Sequence, residues 1–279
     1  MLQRSISGVE MSHGHGKTVL ITGASMGIGR ELAIVFAEGG YDLVVAARSE
    51  DKLQALAKEL HDKFGCTVTV VAQDLSKKSA PQKLFKAVSE KGITVDVLIN
   101  NAGFGSFKPF AGDDRGHLTD MVQVNVSALT ALTYLFVQPM MERGEGRIMN
   151  VASVASFNPT PGSAVYGATK AYVLSLTEAL SEEFKEHGIT VTALCPGLTE
   201  TEFSTTAAGK KGDNALVPDF MKLDAKQVAK EGYDALHAGE VIRVNGLAYQ
   251  LGVEWMRYTP RQVVRNMAGL FSKQLKDGF

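Results

Sequence analysis

The 279 residues carry 29 Lys and Arg against 30 Asp and Glu, a net charge of −1 with both signs interspersed. That balance lacks the basic stripe of a nucleic-acid-binding surface, so no nucleic-acid partner is expected. An apolar fraction of 45% with 28 glycines spread along the chain fits a globular protein with a sizeable core, organised as one large α/β domain or two small ones.

Cys66 and Cys195 are the only cysteines and stand far apart, without a Cys-x-x-Cys pair or a His/Cys cluster, so both read as reduced and structural and no metal site is expected. No uninterrupted apolar run reaches the roughly eighteen residues of a membrane span, and the N-terminus lacks the apolar core of a signal peptide. A cytoplasmic enzyme is the expectation. Residues 1–16, with Gly8, Gly14, Gly16, His13 and His15 and no periodicity, read as a flexible tail.

Thr18 to Thr22 is a short β-rich run followed directly by Gly23-Ala-Ser25-Met-Gly27-Ile28-Gly29. Ile28, Leu32, Val35 and Phe36 then recur at helical spacing, giving strand, glycine turn and helix. Glycines there permit a tight turn and let a pyrophosphate approach the backbone, while the helix N-terminus offers free N–H groups and a positive dipole end.

A second strand, Asp42 to Ala47, ends at Arg48. A carboxylate at this tip holds the ribose 2′-hydroxyl of NAD. Here Arg48 takes the place and suits a 2′-phosphate, so NADP(H) is the expected cofactor, with NAD(H) possible. Helix 49–64 and strand 67–72 lead to Asp74, a candidate for the adenine pocket. After a helix from Pro81 to Lys91, a fourth strand at 95–99 closes on Asn100-Asn101-Ala102-Gly103. Strands and helices alternating at this spacing predict a doubly wound parallel sheet, with the site at the carboxyl ends of its strands.

A long helix from about Asp113 to Met141 carries Asn125, a polar residue in apolar surroundings. The fifth strand, 147–152, delivers Ser153 to the same edge. The helix from about Ser163 to His187 puts Tyr166 and Lys170 four residues apart on one face. A phenol titrates near ~10, and an ammonium about 6 Å away at an effective dielectric of ~20 supplies roughly 2.8 kcal/mol toward lowering it. Lys170 is thus expected to prepare Tyr166 for proton transfer, with an oxidised nicotinamide as a second positive charge. A sixth strand, 189–194, runs into Cys195-Pro196-Gly197 and an irregular stretch to about Lys222, read as a flap over the substrate.

The glycine turn, Asn100-Asn-Ala-Gly103, Asn125, Ser153, Tyr166, Lys170 and Pro196-Gly197 occur in the order of the short-chain dehydrogenase/reductase family, which the chain resembles over residues 17–250. Thr22-Gly-x-x-x-Gly-x-Gly29 resembles the turn of its ordinary branch. The resemblance implies a Rossmann fold, Tyr166 as general acid, Ser153 holding the carbonyl oxygen, Lys170 on the nicotinamide ribose and Asn125 anchoring a water. It also implies cofactor contacts at Gly23, Ser25, Gly27, Ile28, Gly29, Arg48, Asp74, Asn101, Ala102, Gly103, Tyr166, Lys170, Pro196 and Gly197, and a homodimer or homotetramer. Met26 stands where NADP-binding relatives often carry a basic residue, so the NADP(H) reading rests largely on Arg48.

Phe104, Phe107, Phe157, Pro159, Phe203, Phe220 and Met221 flank these motifs and favour a hydrophobic ketone or aldehyde. An NAD-dependent alcohol or sterol dehydrogenase and a non-catalytic nucleotide sensor are the rival readings. Residues 251–279 read as a helical extension. Thr259-Pro260 starts a helix whose apolar stripe is Val264, Ala268, Phe271 and Leu275, with Arg261, Arg265, Lys273 and Lys276 around it. It is expected to pack on its own domain or on a partner subunit, with peripheral membrane contact the lesser possibility.

Overall fold

Alternation along the strands builds two cores. In β1 (Thr18–Thr22), Val19 and Ile21 face one side and Leu20 the other; β2 (Asp42–Ala47) sends Leu43 and Val45 to the first side and Val44 to the second. A strand apolar on both faces belongs inside a parallel sheet covered by helices. The computed structural model describes residues 13–199 and 222–277, and there β3 (Val68–Ala72), β4 (Val97–Asn100), β5 (Gly146–Val151), β6 (Ile189–Cys195) and β7 (Ile242–Val244) complete the sheet. The strands run parallel in the order β3-β2-β1-β4-β5-β6-β7. The order reverses between β1 and β4, where a doubly wound sheet opens its ligand crevice.

Helices α1 (Gly27–Glu38) and α2 (Glu50–Phe64) close one core, and α3 (Ala80–Ser89) packs in the other. The second core continues under α4 (Arg115–Arg143), which includes a π-helical stretch at Gln123–Ala128, and α5 (Ala164–Glu183) closes it near the site. Fully buried Leu20, Ile21, Leu98 and Ile99 each contribute about 1.5–3 kcal/mol through lost water contact. Helix α4 is long and apolar enough to cross a membrane by length and composition, but half of its apolar window is buried inside the domain.

Across the β4–β5 register, Asn100 Nδ2 donates to Asn150 Oδ1 at 2.9 Å and to Thr133 Oγ1 of α4 at 2.9 Å, and Asn150 Nδ2 donates to Thr177 Oγ1 of α5 at 3.0 Å. All four residues are buried. Hydrogen bonds at such depth fix one register, because any slip leaves their buried donors without acceptors. Helix α5 is therefore held to the strand that ends beside Ser153.

Two expectations change. Residues 13–16 form a turn packed on the domain: Gly14 N donates to Gly39 O at 3.0 Å, a Cβ on Gly14 would lie 2.3 Å from the Tyr41 ring, and His13 stacks on His237 at 4.6 Å between centroids. Of residues 1–16, those before 13 lie outside the described residues. The boundary at 250 falls inside a helix, because Gly246 (φ +81°) turns the chain directly from β7 into α7 (Leu247–Tyr258), after which α8 (Arg261–Asp277) follows Pro260. Between β6 and α7, α6 (Ala225–Ala238) packs against α1.

Candidate active site

The turn after β1 is built for close approach. Gly23 (φ +67°) and Gly27 (φ +55°) occupy the left-handed region that glycine enters without strain. A Cβ on Gly29 would lie 2.3 Å from Gly23 O and 2.3 Å from Asn101 Nδ2. Helix α1 starts at Gly27 with no side-chain cap from Met26 and no acidic residue in its first turn, so its N–H groups and dipole face outward beside half-buried Ser25 and Ile28.

Thr22 locks this turn to the Asn-Asn-Ala-Gly run: its Oγ1 accepts from Asn101 N at 3.1 Å and Ala102 N at 3.0 Å and donates to Ile99 O at 3.2 Å. Asn101 Nδ2 donates to Thr22 O at 2.9 Å and Gly23 O at 3.2 Å. Asn101 thus shapes the turn from behind. Thr22 is a support the sequence reading passed over, although its place just before Gly23 marked it.

Ser153, Tyr166 and Lys170 meet at the carboxyl end of β5. Ser153 caps the short 3-10 turn Val154–Ser156 by accepting from Ala155 N at 3.1 Å, and its hydroxyl hydrogen-bonds Tyr166. Pro196 O, at the end of β6, accepts from Val154 N at 3.0 Å and lies 3.5 Å from Ser153 Oγ. Next to it Gly197 is held by α7, since a Cβ there would lie 2.1 Å from the Tyr249 ring. Lys170 Nζ donates to Val151 O at 2.7 Å and sits 5.8 Å from the Tyr166 ring centroid.

The electrostatics differ from expectation in sign. Burial pushes the Tyr166 hydroxyl above its ordinary range, only partly offset by the Ser153 hydrogen bond. Lys170, 5% exposed, is pushed by burial from its ordinary 10.5 to about 8, so it remains largely charged at neutral pH. Cys195, also buried, is pushed up to about 12 and stays a thiol. In the protein alone, desolvation of the phenol dominates.

Lys170 also sets a pH dependence. Its folded value is depressed, so between about pH 8 and 10.5 the unfolded chain holds a proton that the folded chain has released, and this group's contribution to stability rises with pH across that window. Wild type should therefore gain about 3 kcal/mol relative to Lys170→Met between pH 7 and 10.5. Urea unfolding of both proteins at several pH values measures this, and a pH-independent difference contradicts it.

Asn125 lies in the π-helical stretch of α4, 1% exposed. Its Oδ1 accepts from Phe104 N at 3.1 Å, and its Nδ2 donates to Phe104 O at 2.9 Å and Thr169 Oγ1 at 3.1 Å. Thr169 in turn donates to Tyr166 O at 2.7 Å. The Asn125 amide hydrogens are thus both engaged within the protein, tying the wall after Gly103 to the turn that carries Tyr166. Gly103 has to be small, since a Cβ would lie 3.0 Å from Asn125 Oδ1 and 3.4 Å from Lys170 Nζ.

Arg48 stands exposed just past β2, and Asp74 half-buried just past β3, within electrostatic reach of each other. Burial acts to raise Asp74, but hydrogen bonds from Ser76 and the charges of Lys77 and Arg48 hold it below the usual carboxylate range. Of the proposed pocket aromatics, Phe104 and Phe157 pack against the core, and Phe107 is exposed. Phe203, Phe220 and Met221, with the expected flap, lie outside the described residues. A shallow pocket beside Tyr166 is lined by Ser106, Lys108, Phe110, Asp113, Met121 and Ser163, a mixed wall.

Known proteins resemble the chain in sequence and fold. The chain is 36% identical over 216 residues to sulfoacetaldehyde reductase 2 of Chromohalobacter salexigens, covering 76% of this chain and 85% of that one. It is 34% identical over 227 residues to a very-long-chain 3-oxoacyl-CoA reductase of Phaeosphaeria nodorum, covering 78% of this chain but only 64% of that one. A short-chain dehydrogenase from Sphingobium yanoikuyae, solved in complex with NADPH, superposes with a TM-score of 0.78 at 32% identity, covering 86% of this chain and 93% of that one. The family model for short chain dehydrogenases matches residues 17–212. From that match and the parallel sheet with its glycine turn, the chain belongs to the short-chain dehydrogenase family of oxidoreductases.

Proposed function

We propose that the protein is an NADP(H)-dependent carbonyl reductase in which Tyr166 is the proton donor and the substrate is a hydrophobic ketone or aldehyde. The observation that carries this reading is the meeting of Ser153, Tyr166 and Lys170 at the end of β5, across the crevice from the open N-terminus of α1. The residues fit a dinucleotide. Gly23, Ser25, Gly27, Ile28 and Gly29 leave room for a pyrophosphate at the helix end. Arg48 is free to reach a 2′-phosphate, and Asp74 lies near enough to help frame an adenine. Ala102, Gly103, Pro196 and Gly197 border the ribose and nicotinamide end, with Asn101 shaping the turn. The solved relative from Sphingobium yanoikuyae binds NADPH, which supports this choice of cofactor.

A bound reduced nicotinamide supplies hydride to the carbonyl carbon. Tyr166 gives its hydroxyl proton to the carbonyl oxygen as the alcohol forms, and the Ser153 hydroxyl holds that oxygen. A high Tyr166 pKa keeps the donor protonated at rest, and the Lys170 ammonium steadies the phenolate left behind. Asn125 and Thr169 fix the turn that aims Tyr166. The names of the relatives span a small sulfonated aldehyde and a long acyl chain, so the hydrophobic substrate rests on Phe110, Leu118 and Met121, which line the pocket beside Tyr166.

Arg48→Ala should weaken NADPH binding about ten- to a hundredfold through loss of a charge-assisted contact and leave NADH binding nearly unchanged. Nicotinamide fluorescence titrations measure both. Equal weakening for the two cofactors, or tighter NADH than NADPH binding in wild type, removes the NADP(H) assignment. A substrate panel turned over only when it contains small polyols overturns the hydrophobic-substrate reading.

A further inference from the structure

Two neighbouring strand ends bring α7 to the edge of the site. Val244 of β7 pairs in parallel with Cys195 of β6, so the chain leaves the sheet side by side at Pro196 and at Asn245. Gly246 (φ +81°) then turns the chain into α7, and Gln250 Nε2 fixes the first turn of that helix by donating to Val244 O at 2.8 Å. Tyr249, on the same turn, comes to lie over Gly197. A Cβ on Gly197 would stand 2.1 Å from Cε2 of its ring, 2.4 Å from Cδ2 and 2.4 Å from Cζ. Three adjacent ring atoms at such similar distances put the face of the ring, rather than its edge, against the glycine backbone.

The phenol reaches one residue further. Tyr249 Oη accepts from Leu198 N at 3.1 Å, Leu198 O accepts from Leu223 N at 2.9 Å, and Thr199 Oγ1 donates to Gly197 O at 3.1 Å. On its other side the same loop meets the Ser153 turn, since Pro196 O accepts from Val154 N at 3.0 Å and lies 3.5 Å from Ser153 Oγ. Tyr249 is itself half-buried and packs against the first core cluster, so it is a stiff support. It backs the loop with its ring and pins it with its hydroxyl. The residue lies beyond the stretch 17–212 that the family model matches.

We propose that Tyr249 is a positioning residue for the nicotinamide half of the cofactor, holding the Pro196–Leu198 loop in the conformation that receives it. Tyr249 touches no reacting atom and acts through Gly197 and Leu198, which makes α7 a working part of the site. This role rests on the NADP(H) reading above, which sets Pro196 and Gly197 at the nicotinamide end. A loop that occupies its binding conformation only part of the time lowers the apparent affinity by that fraction. The loss falls on the nicotinamide half alone, because Arg48, Asp74 and the N-terminus of α1 stand on other strand ends.

The test titrates the full-length protein with two probes by calorimetry: NADPH, and adenosine 2′,5′-bisphosphate, which carries the adenosine half without the nicotinamide. Tyr249→Phe keeps the ring and leaves Leu198 N without its acceptor, and NADPH affinity falls about three- to tenfold. Tyr249→Leu removes the backing as well, and the fall reaches at least about thirtyfold. Both variants bind the bisphosphate as wild type does, and the fluorescence lifetime of bound NADPH shortens from wild type to Tyr249→Phe to Tyr249→Leu as the nicotinamide loosens. Equal NADPH affinity in wild type and Tyr249→Phe, or a loss that falls equally on both probes, overturns the proposal while leaving the NADP(H) reading in place. A wild type that binds neither probe overturns that reading and the proposal with it.

Discussion

Tyr166→Phe lowers the rate of carbonyl reduction by about 10²–10⁴-fold, the range that a positioned general acid contributes. The substitution removes one oxygen and its proton and leaves the ring that packs beside Lys170. Its structural cost is confined to the hydrogen bond with Ser153, so the melting temperature stays within a few degrees of wild type and NADPH titrates with similar affinity. The loss therefore falls on turnover rather than on the Michaelis constant for the cofactor, and steady-state NADPH oxidation with a hydrophobic ketone resolves the two. Turnover retained within tenfold of wild type assigns the proton to another donor.

Gly29→Ala is the second large effect, and it acts through the backbone. The added Cβ lies 2.3 Å from Gly23 O and 2.3 Å from Asn101 Nδ2. Asn101 is itself bonded to Thr22 O and Gly23 O, so it yields only by giving up the lock between the two loops. The turn has to open, at a cost of about 3 kcal/mol, and the α1 N-terminus moves off the position in which its N–H groups meet a pyrophosphate. NADPH affinity drops by at least about tenfold as charged hydrogen bonds are lost. Gly252→Ala in α7 is the contrast: nothing lies within 4 Å of its added Cβ, and the change stabilises the helix by about 0.5–1 kcal/mol. Urea unfolding of the pair gives opposite signs, and destabilisation of the same size at both positions removes the packing argument.

The sheet, the glycine turn and the Ser-Tyr-Lys set were legible because each is written in local pattern. Strands buried on both faces read as apolar runs, glycines before a helix mark where the backbone turns tightly, and Tyr166 and Lys170 share a face at four-residue spacing. The charge state of Tyr166 was not legible. Spacing places an ammonium beside it, but the burial that pushes its pKa up comes from residues far away in sequence. The partners of Asn125 were not legible: its amide bonds Phe104, 21 positions earlier, and Thr169, 44 positions later. Thr169 looked like a spacer between Tyr166 and Lys170 and proved to join them to α4. Nothing near His13 indicated that it would stack on His237, and Phe104 and Phe157 read as pocket walls although their rings pack against core clusters.

The central claim is hydride transfer to a carbonyl bound beside Ser153 and Tyr166. Incubating the protein with NADPH deuterated at nicotinamide C4 and a panel of hydrophobic ketones and aldehydes, then analysing the products by mass spectrometry and NMR, tests it most directly. The account predicts an alcohol carrying deuterium on the former carbonyl carbon, formed by wild type and lost with Tyr166→Phe. Absence of labelled alcohol from every carbonyl, with NADPH bound tightly throughout, would contradict it and leave a protein that holds the nucleotide without reducing a substrate.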